Sequence, residues 1–324
     1  MLPPSFSPDA ITILAPGTVA NVVCGFDVLG FALSQPYDTM TMRLTAQRGI
    51  IIIINRDDYN LPTEPARNVA GAALLALLKA VPEEVGFEVE IAKGIKPGSG
   101  IGSSAASAAG AVVGANHLLG HRFSPAELVE FATYGEEVAS GVRHADNIAP
   151  AIYGGVTLIR STTPLDIIPI PAPLLYVTVV HPQIEVKTSD AREILKKEVL
   201  LRDAITQWGN VGGLIAGLMK GDYDLIGRSL EDVIIEPVRS ILIPCFAAVK
   251  AQSLAAGALG GGISGSGPSI FMLSRDEATA HRVAAAMRAI YTGAGIDFHT
   301  YVSTINPDGV RILPAAATVP AVAF

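Results

Sequence analysis

Apolar and polar positions along this chain change period repeatedly, and the changes mark out short strands and longer helices. Residues 11–14 form an apolar run entering the turn signal Ala15-Pro16-Gly17, and Gly25-Phe26-Asp27 marks a second turn before the apolar stretch 28–33. Residues 40–44 alternate with period two, and 50–54 are a β-branched run between Arg48 and Arg56, expected as a buried strand. A helical pattern covers 68–79, and 87–91 alternate apolar and acidic side chains as a half-buried strand does. A glycine- and serine-rich segment follows, then Ala-rich sequence to residue 119 that favours helix. Ser124-Pro125-Ala126-Glu127 combines an N-cap, a proline at the first helical position and the Glu of a capping box. Residues 156–159 and 176–180 read as strands, two helical regions follow, and a glycine-rich loop at 260–267 precedes a strand at 269–273.

Strands and helices thus mix in one chain, an α+β pattern. Its 324 residues exceed what one core usually organises, so two domains are expected. Four prolines within residues 164–173 suggest the junction, giving domains 1–165 and 166–324, with the segment 300–313 free to return to the first. Half the residues are apolar and 16% are charged, which excludes a largely disordered chain. The net charge of −7 and the lack of a Lys/Arg cluster argue against nucleic-acid or membrane-surface partners. The first basic residue is Arg43, and no apolar run approaches the roughly 18 residues that span a bilayer, so the expected location is cytoplasmic. Cys24 and Cys245 lack metal-ligand spacing and read as packing residues.

The segment Pro97-Gly98-Ser99-Gly100-Ile101-Gly102-Ser103-Ser104-Ala105-Ala106-Ser107 carries the candidate chemistry. A strand, a loop with three glycines and a strong helix bring free backbone N–H groups and the helix dipole to bear on an anion, with a phosphate chain as the natural ligand. No Lys stands where a P-loop needs one, and Ser103 replaces the last glycine of a dinucleotide fingerprint. An ordinary tight strand-to-helix turn remains the plain alternative. The second loop, Gly260 to Pro268, favours phosphate, and Ser266 breaks the Gly-x-Ser-x-Gly spacing of a hydrolase elbow.

Taken together, Ala15-Pro16-Gly17-Thr18-Val19-Ala20-Asn21 with Gly25-Phe26-Asp27, the central loop, and the third segment ending at Pro268 resemble the three motifs of the GHMP kinase superfamily. Within it the chain resembles the homoserine kinase family, through Asn21-x3-Gly25-Phe26-Asp27-x2-Gly30, His144-Ala145-Asp146-Asn147-x-Ala149-Pro150-Ala151 and Ile235-Glu236-Pro237-x-Arg239. The resemblance implies a two-domain GHMP kinase fold, ribosomal protein S5 domain 2-like and then ferredoxin-like, that moves the γ-phosphate of ATP to L-homoserine with Mg²⁺. It implies that residues 97–107 and Gly265 hold the nucleotide, and that Ser104 and Glu136 hold the metal. Asn21, Asp27, His144, Asn147, Thr188, Arg192 and Arg239 would line the acceptor site, with Asp146 and Asn147 catalytic, Asp146 as base or Asn147 orienting the hydroxyl. This makes chemical sense for a zwitterion: Arg192 and Arg239 suit its carboxylate, and Asp27 and Asn21 its ammonium. Read alone, Arg192 is a surface residue beside Asp190 and Glu193, and Asp146-Asn147 is a helix cap. Other readings stay open: a related kinase for mevalonate, a diphosphocytidyl polyol or a sugar, or a nonenzymatic nucleotide-binding module. The sequence leaves oligomeric state undecided, a homodimer included.

Overall fold

The computed structural model describes residues 10–47, 49, 51–55, 59–186 and 188–313. The first half opens with β1 (Ile11–Ala20) and β2 (Leu29–Thr45), followed by β3 (Ile51–Asn55), α1 (Val69–Leu78) and β4 (Gly86–Ala92). Three helices come next, α2 (Ser103–Leu118), α3 (Pro125–Ser140) and α4 (Ile148–Tyr153), then the hairpin β5 (Val156–Thr162) and β6 (Leu165–Ile170). The second half has β7 (Tyr176–Pro182), α5 (Thr188–Glu193), α6 (Leu201–Lys220), α7 (Tyr223–Ser229), α8 (Glu236–Arg239) and α9 (Phe246–Ala255). It ends with β8 (Gly260–Ile263), β9 (Ile270–Ser274), α10 (Glu277–Ala294), β10 (Phe298–Thr304) and β11 (Arg311–Leu313).

Two sheets organise these elements. One has seven strands, ordered β11-β1-β2-β4-β3 with the β5–β6 hairpin attached to β2, and the other has four, β10-β7-β9-β8. The chain therefore crosses between sheets after Ile170 and returns through β11, which pairs antiparallel with β1. The Pro-rich stretch expected as a junction contains β6, because Pro169 sits in a strand bonded only to β5, where a missing N–H is tolerated.

Other expectations shift for physical reasons. The turn at Pro16-Gly17 is a bulge inside one continuous β1, and the stretches at 28–33 and 40–44 belong to a single 17-residue β2 that continues past Pro36. The run at 50–54 is an edge strand: Ile51 and Ile53 are buried while Ile54 is exposed, and Ile50 lies outside the described residues, as does the tail from Pro314. Residues 260–263 form β8 rather than loop. The capping box at Ser124 and Glu127 forms as the sequence predicts. The Ala-rich α2 is buried over nearly its whole length against β1 and β2, and its small side chains let the helix lie close: a Cβ on Gly110 would meet the Met40 sulfur at 2.6 Å. Among the described residues no single helix is long and apolar enough to cross a membrane.

Candidate active site

The segment between β1 and β2 is the most strained backbone near the cavity. Asn21, Val22, Val23 and Asp27 all have positive φ, from 40° to 71°, and for β-branched valines that conformation is costly unless the surroundings impose it. Asn21 helps impose it by joining two loops: its Nδ2 donates to the Gly265 carbonyl at 2.8 Å and its Oδ1 accepts from the Asp27 N–H at 2.9 Å.

Gly98, Gly100 and Gly102 all lie in the left-handed region, and Gly102 is the N-cap of α2 without a side-chain cap. The first N–H groups of the helix therefore keep their capacity for an outside acceptor. Two loops pack back to back here. Ser264 Oγ donates to the Gly100 carbonyl at 2.7 Å, Ser269 Oγ donates to the Ser99 carbonyl at 2.6 Å, and Thr18 N–H donates to the Ile101 carbonyl at 3.1 Å. Pro97, Gly98, Gly100, Gly102, Ser103, Ser104 and Ser107 line one cavity of about 410 Å³, together with Gly265. Ile101, Ala105 and Ala106 turn into the apolar core, and Ser99 is buried, so only their backbone can serve an anion.

Along the cavity wall Ser104 Oγ donates to Glu136 Oε2 at 2.8 Å, while Glu137 is exposed. Burial raises the Glu136 carboxyl above its ordinary range, against the lowering effect of the Ser104 and Ser140 hydrogen bonds. A hydroxyl and a carboxylate at a helix N-terminus are hard oxygen donors, and a site that penalises an uncompensated carboxylate suits a divalent cation such as Mg²⁺. Among the described residues no group of three His, Cys, Asp or Glu forms a metal cluster of its own.

A second set of charges meets the same cavity. Arg192 donates to both Asp27 oxygens, at 3.0 and 2.8 Å, and to His144 Nε2 at 2.7 Å. Because a guanidinium only donates, His144 Nε2 accepts and its proton sits on Nδ1. Burial lowers the His144 pKa, in keeping with that neutral ring. Buried Arg239 lies over the Phe26 ring at 4.9 Å and donates to the Ala191 carbonyl at 2.8 Å. Asp146 is buried on the cavity wall, its pKa raised to about 7 by burial first and then by the nearby Asp27 and Glu136 charges. Asn147 makes no side-chain cap for α4; its Oδ1 accepts from Thr18 Oγ1 at 2.7 Å. Thr188 opens α5, and its side chain lies outside the described residues.

Several contributors escaped the sequence reading. Lys93 and Asp38 form a buried ion pair beneath α2, with Lys93 Nζ also donating to the Ser103 carbonyl at 3.0 Å and Ser107 Oγ at 3.1 Å. Asp38 accepts from the Gly94 and Ile95 N–H groups, so the pair ties the strand, the loop and the first turn of the helix together. Asp38, the one carboxylate in the 17 residues of β2, was the available signal. Gly30 lies so close to the Asp146 carbonyl that any Cβ would collide with it. Leu61, Pro62, Asn68, Val69 and Ile91 add a mostly apolar stretch to the cavity lining.

Comparison with known proteins identifies the family. Residues 68–155 match the GHMP kinases N terminal domain and 214–293 the GHMP kinases C terminal domain. A homoserine kinase of Chloroherpeton thalassium is 48% identical over 94% of this chain and 99% of its own length, and one of Chlorobium phaeobacteroides is 47% identical over 92% and 98%. The crystal structure of homoserine kinase from Cytophaga hutchinsonii superposes with a TM-score of 0.90 at 48% identity, covering 94% of this chain and 98% of that one. A mevalonate kinase of L. major, at 18% identity and TM-score 0.70 over 94% and 97%, shares the fold. With both halves of the two-domain fold matched and the likeness running nearly end to end, the chain belongs to the homoserine kinase family of the GHMP kinases.

Proposed function

We propose that the chain transfers the γ-phosphate of ATP to the side-chain hydroxyl of L-homoserine, giving O-phospho-L-homoserine, a cytoplasmic step of threonine biosynthesis. One observation carries this reading: a single cavity presents an uncapped helix N-terminus and also the Arg192–Asp27 ion pair, with Arg239 on the same lining, the two signs of charge that a zwitterion requires. The glycine loop and the first turn of α2 receive the phosphates, and Leu61, Pro62, Val69 and Ile91 offer the base an apolar slot. Arg239, fixed on Phe26, and Arg192 take the acceptor carboxylate, while Asp27 takes the ammonium. Asp146 receives the hydroxyl proton, and Asn147, held by Thr18, orients the hydroxyl. Ser104 and Glu136 would hold Mg²⁺, which supplies charge stabilisation to the transferring phosphoryl group.

An ADP-release assay with Mg-ATP against homoserine, mevalonate, shikimate and galactose tests the acceptor. Homoserine should turn over at least 100-fold more efficiently than the others, because a carboxylate without an ammonium would draw Arg192 from Asp27 with nothing to replace it, and a neutral sugar offers neither charge. Equal turnover of a non-amino-acid alcohol would refute the assignment.

A further inference from the structure

Among the described residues four Lys and Arg side chains line the cavity, and Lys93 alone of them bonds to the first turn of α2. It follows β4 directly, and its side chain is 1% exposed. Its three ammonium hydrogens have three takers: Asp38 Oδ2, the Ser103 carbonyl at 3.0 Å and Ser107 Oγ at 3.1 Å. Asp38, wholly buried in β2, is gripped in turn by the Gly94 and Ile95 N–H groups, each at 3.0 Å. Both charges are therefore fixed in place without a ligand.

The pair is neutral as a whole but has a direction. Lys93 lies on the cavity lining and Asp38 does not, so the positive end faces the glycine loop and the negative end is turned into the sheet. A buried ion pair adds little stability over apolar side chains of the same volume, whereas its field acts on whatever the loop holds. The bond to the Ser103 carbonyl brings that field to the cavity. This carbonyl belongs to the same planar peptide unit as the Ser104 N–H, one of the first N–H groups of α2 that a helix cannot satisfy internally. A cation donating to the carbonyl polarises the unit and makes the N–H at its other end a stronger donor, the more so in a low-dielectric interior. It also fixes the plane of the peptide, so the N–H is aimed before a ligand arrives.

We propose that Lys93 is a positioning residue of the phosphate site: backed by Asp38, it acts through the Ser103–Ser104 peptide to aim and strengthen the N–H groups that meet the phosphates of the nucleotide. Because this rests on phosphate binding at the glycine loop, its signature is an effect that grows with the charge of the ligand, which a merely structural pair lacks. K93M strands the Asp38 carboxylate in the core and should lower the Tm. K93M/D38N removes both charges, and its new amide oxygen can still accept from Gly94 and Ile95, so its Tm should exceed that of K93M. Affinities for ATP, ADP and adenosine are read by displacement of a fluorescent ATP analogue. In K93M/D38N the affinity for ATP should fall at least about tenfold below wild type, that for adenosine less than about twofold, and that for ADP by an intermediate factor. K93M alone should show the same graded order at its lower Tm. Recovered stability without recovered ATP affinity is the expected result. A double variant that loses less than about tenfold in ATP affinity overturns the proposal, because the pair is then structural only. So does a loss equal for ATP and adenosine. A wild-type protein that binds ATP no better than adenosine would instead remove phosphate binding at the loop itself, and the role of Lys93 with it.

Discussion

Asp146 shows how a side chain acquires its chemistry from residues distant in sequence. Its pKa near 7 comes from burial and from Asp27 and Glu136, 119 and 10 positions away, and none of that is visible in His144-Ala145-Asp146-Asn147 read alone. The competing reading of a helix cap holds for position alone: Asn147 is the N-cap residue of α4, but its side-chain oxygen accepts from Thr18 and not from the helix. A base poised near neutral pH contributes about 10²- to 10⁴-fold, so D146N should lower kcat by at least 100-fold while the ATP KM stays within about threefold. The kcat/KM profile of the wild type should rise with pH through about 7, and D146N should lack that limb. Stability carries the opposite sign. Between the ordinary carboxyl value of 3.8 and about 7 the folded state binds more protons than the unfolded, so the ligand-free protein loses stability as pH rises through that window. Urea unfolding at pH 5 and pH 8 should show a smaller difference for D146N, and a kcat loss well below tenfold would remove Asp146 as the base.

At the scale of elements, the strand-loop-helix around residues 97–107 was legible because glycine and alanine announce their backbone roles directly. The loop's partner was legible only as a second glycine-rich stretch; that the two stack back to back depends on Ser264 and Ser269 reaching carbonyls 164 and 170 positions away. Long strands were read worst. Pro36 and the Pro16-Gly17 bulge look like breaks in sequence, yet cross-strand pairing carries β1 and β2 past them. The stacking makes a graded prediction. Gly100 and Gly98 both have positive φ, but a Cβ on Gly100 would sit 2.5 Å from the Gly267 carbonyl oxygen whereas Gly98 has open space. G98A should therefore cost about 1 kcal/mol of stability from backbone strain alone, while G100A must also pry the loops apart. In nucleotide titrations G100A should weaken ATP binding at least tenfold more than G98A. Equal effects would mean that the loops do not hold each other in position.

Across the whole molecule, neither half owns a complete site. Asp27, His144, Asp146 and the glycine loop come from the first part of the chain, and Arg192, Arg239 and Gly265 from the second. Sequence motifs named these residues but not their mutual arrangement. Arg192, unremarkable beside Asp190 and Glu193, pairs instead with Asp27 across 165 residues, because α5 is set against the strained segment before β2. Without acceptor the two charges neutralise each other. On the proposed function, a zwitterion would exchange that pair for two new ones, its carboxylate taking Arg192 and its ammonium Asp27, so the charges would be conserved as the ligand enters. Removing one partner leaves the other charge half-buried without its ion pair, which costs more than losing one ligand contact. R192A and D27A should each raise the homoserine KM at least tenfold with the ATP KM changed less than about threefold. The double variant should then lose distinctly less in kcat/KM than the product of the two single losses, because neither charge remains to be stranded. Independent, multiplicative losses would show that Arg192 and Asp27 serve the acceptor separately.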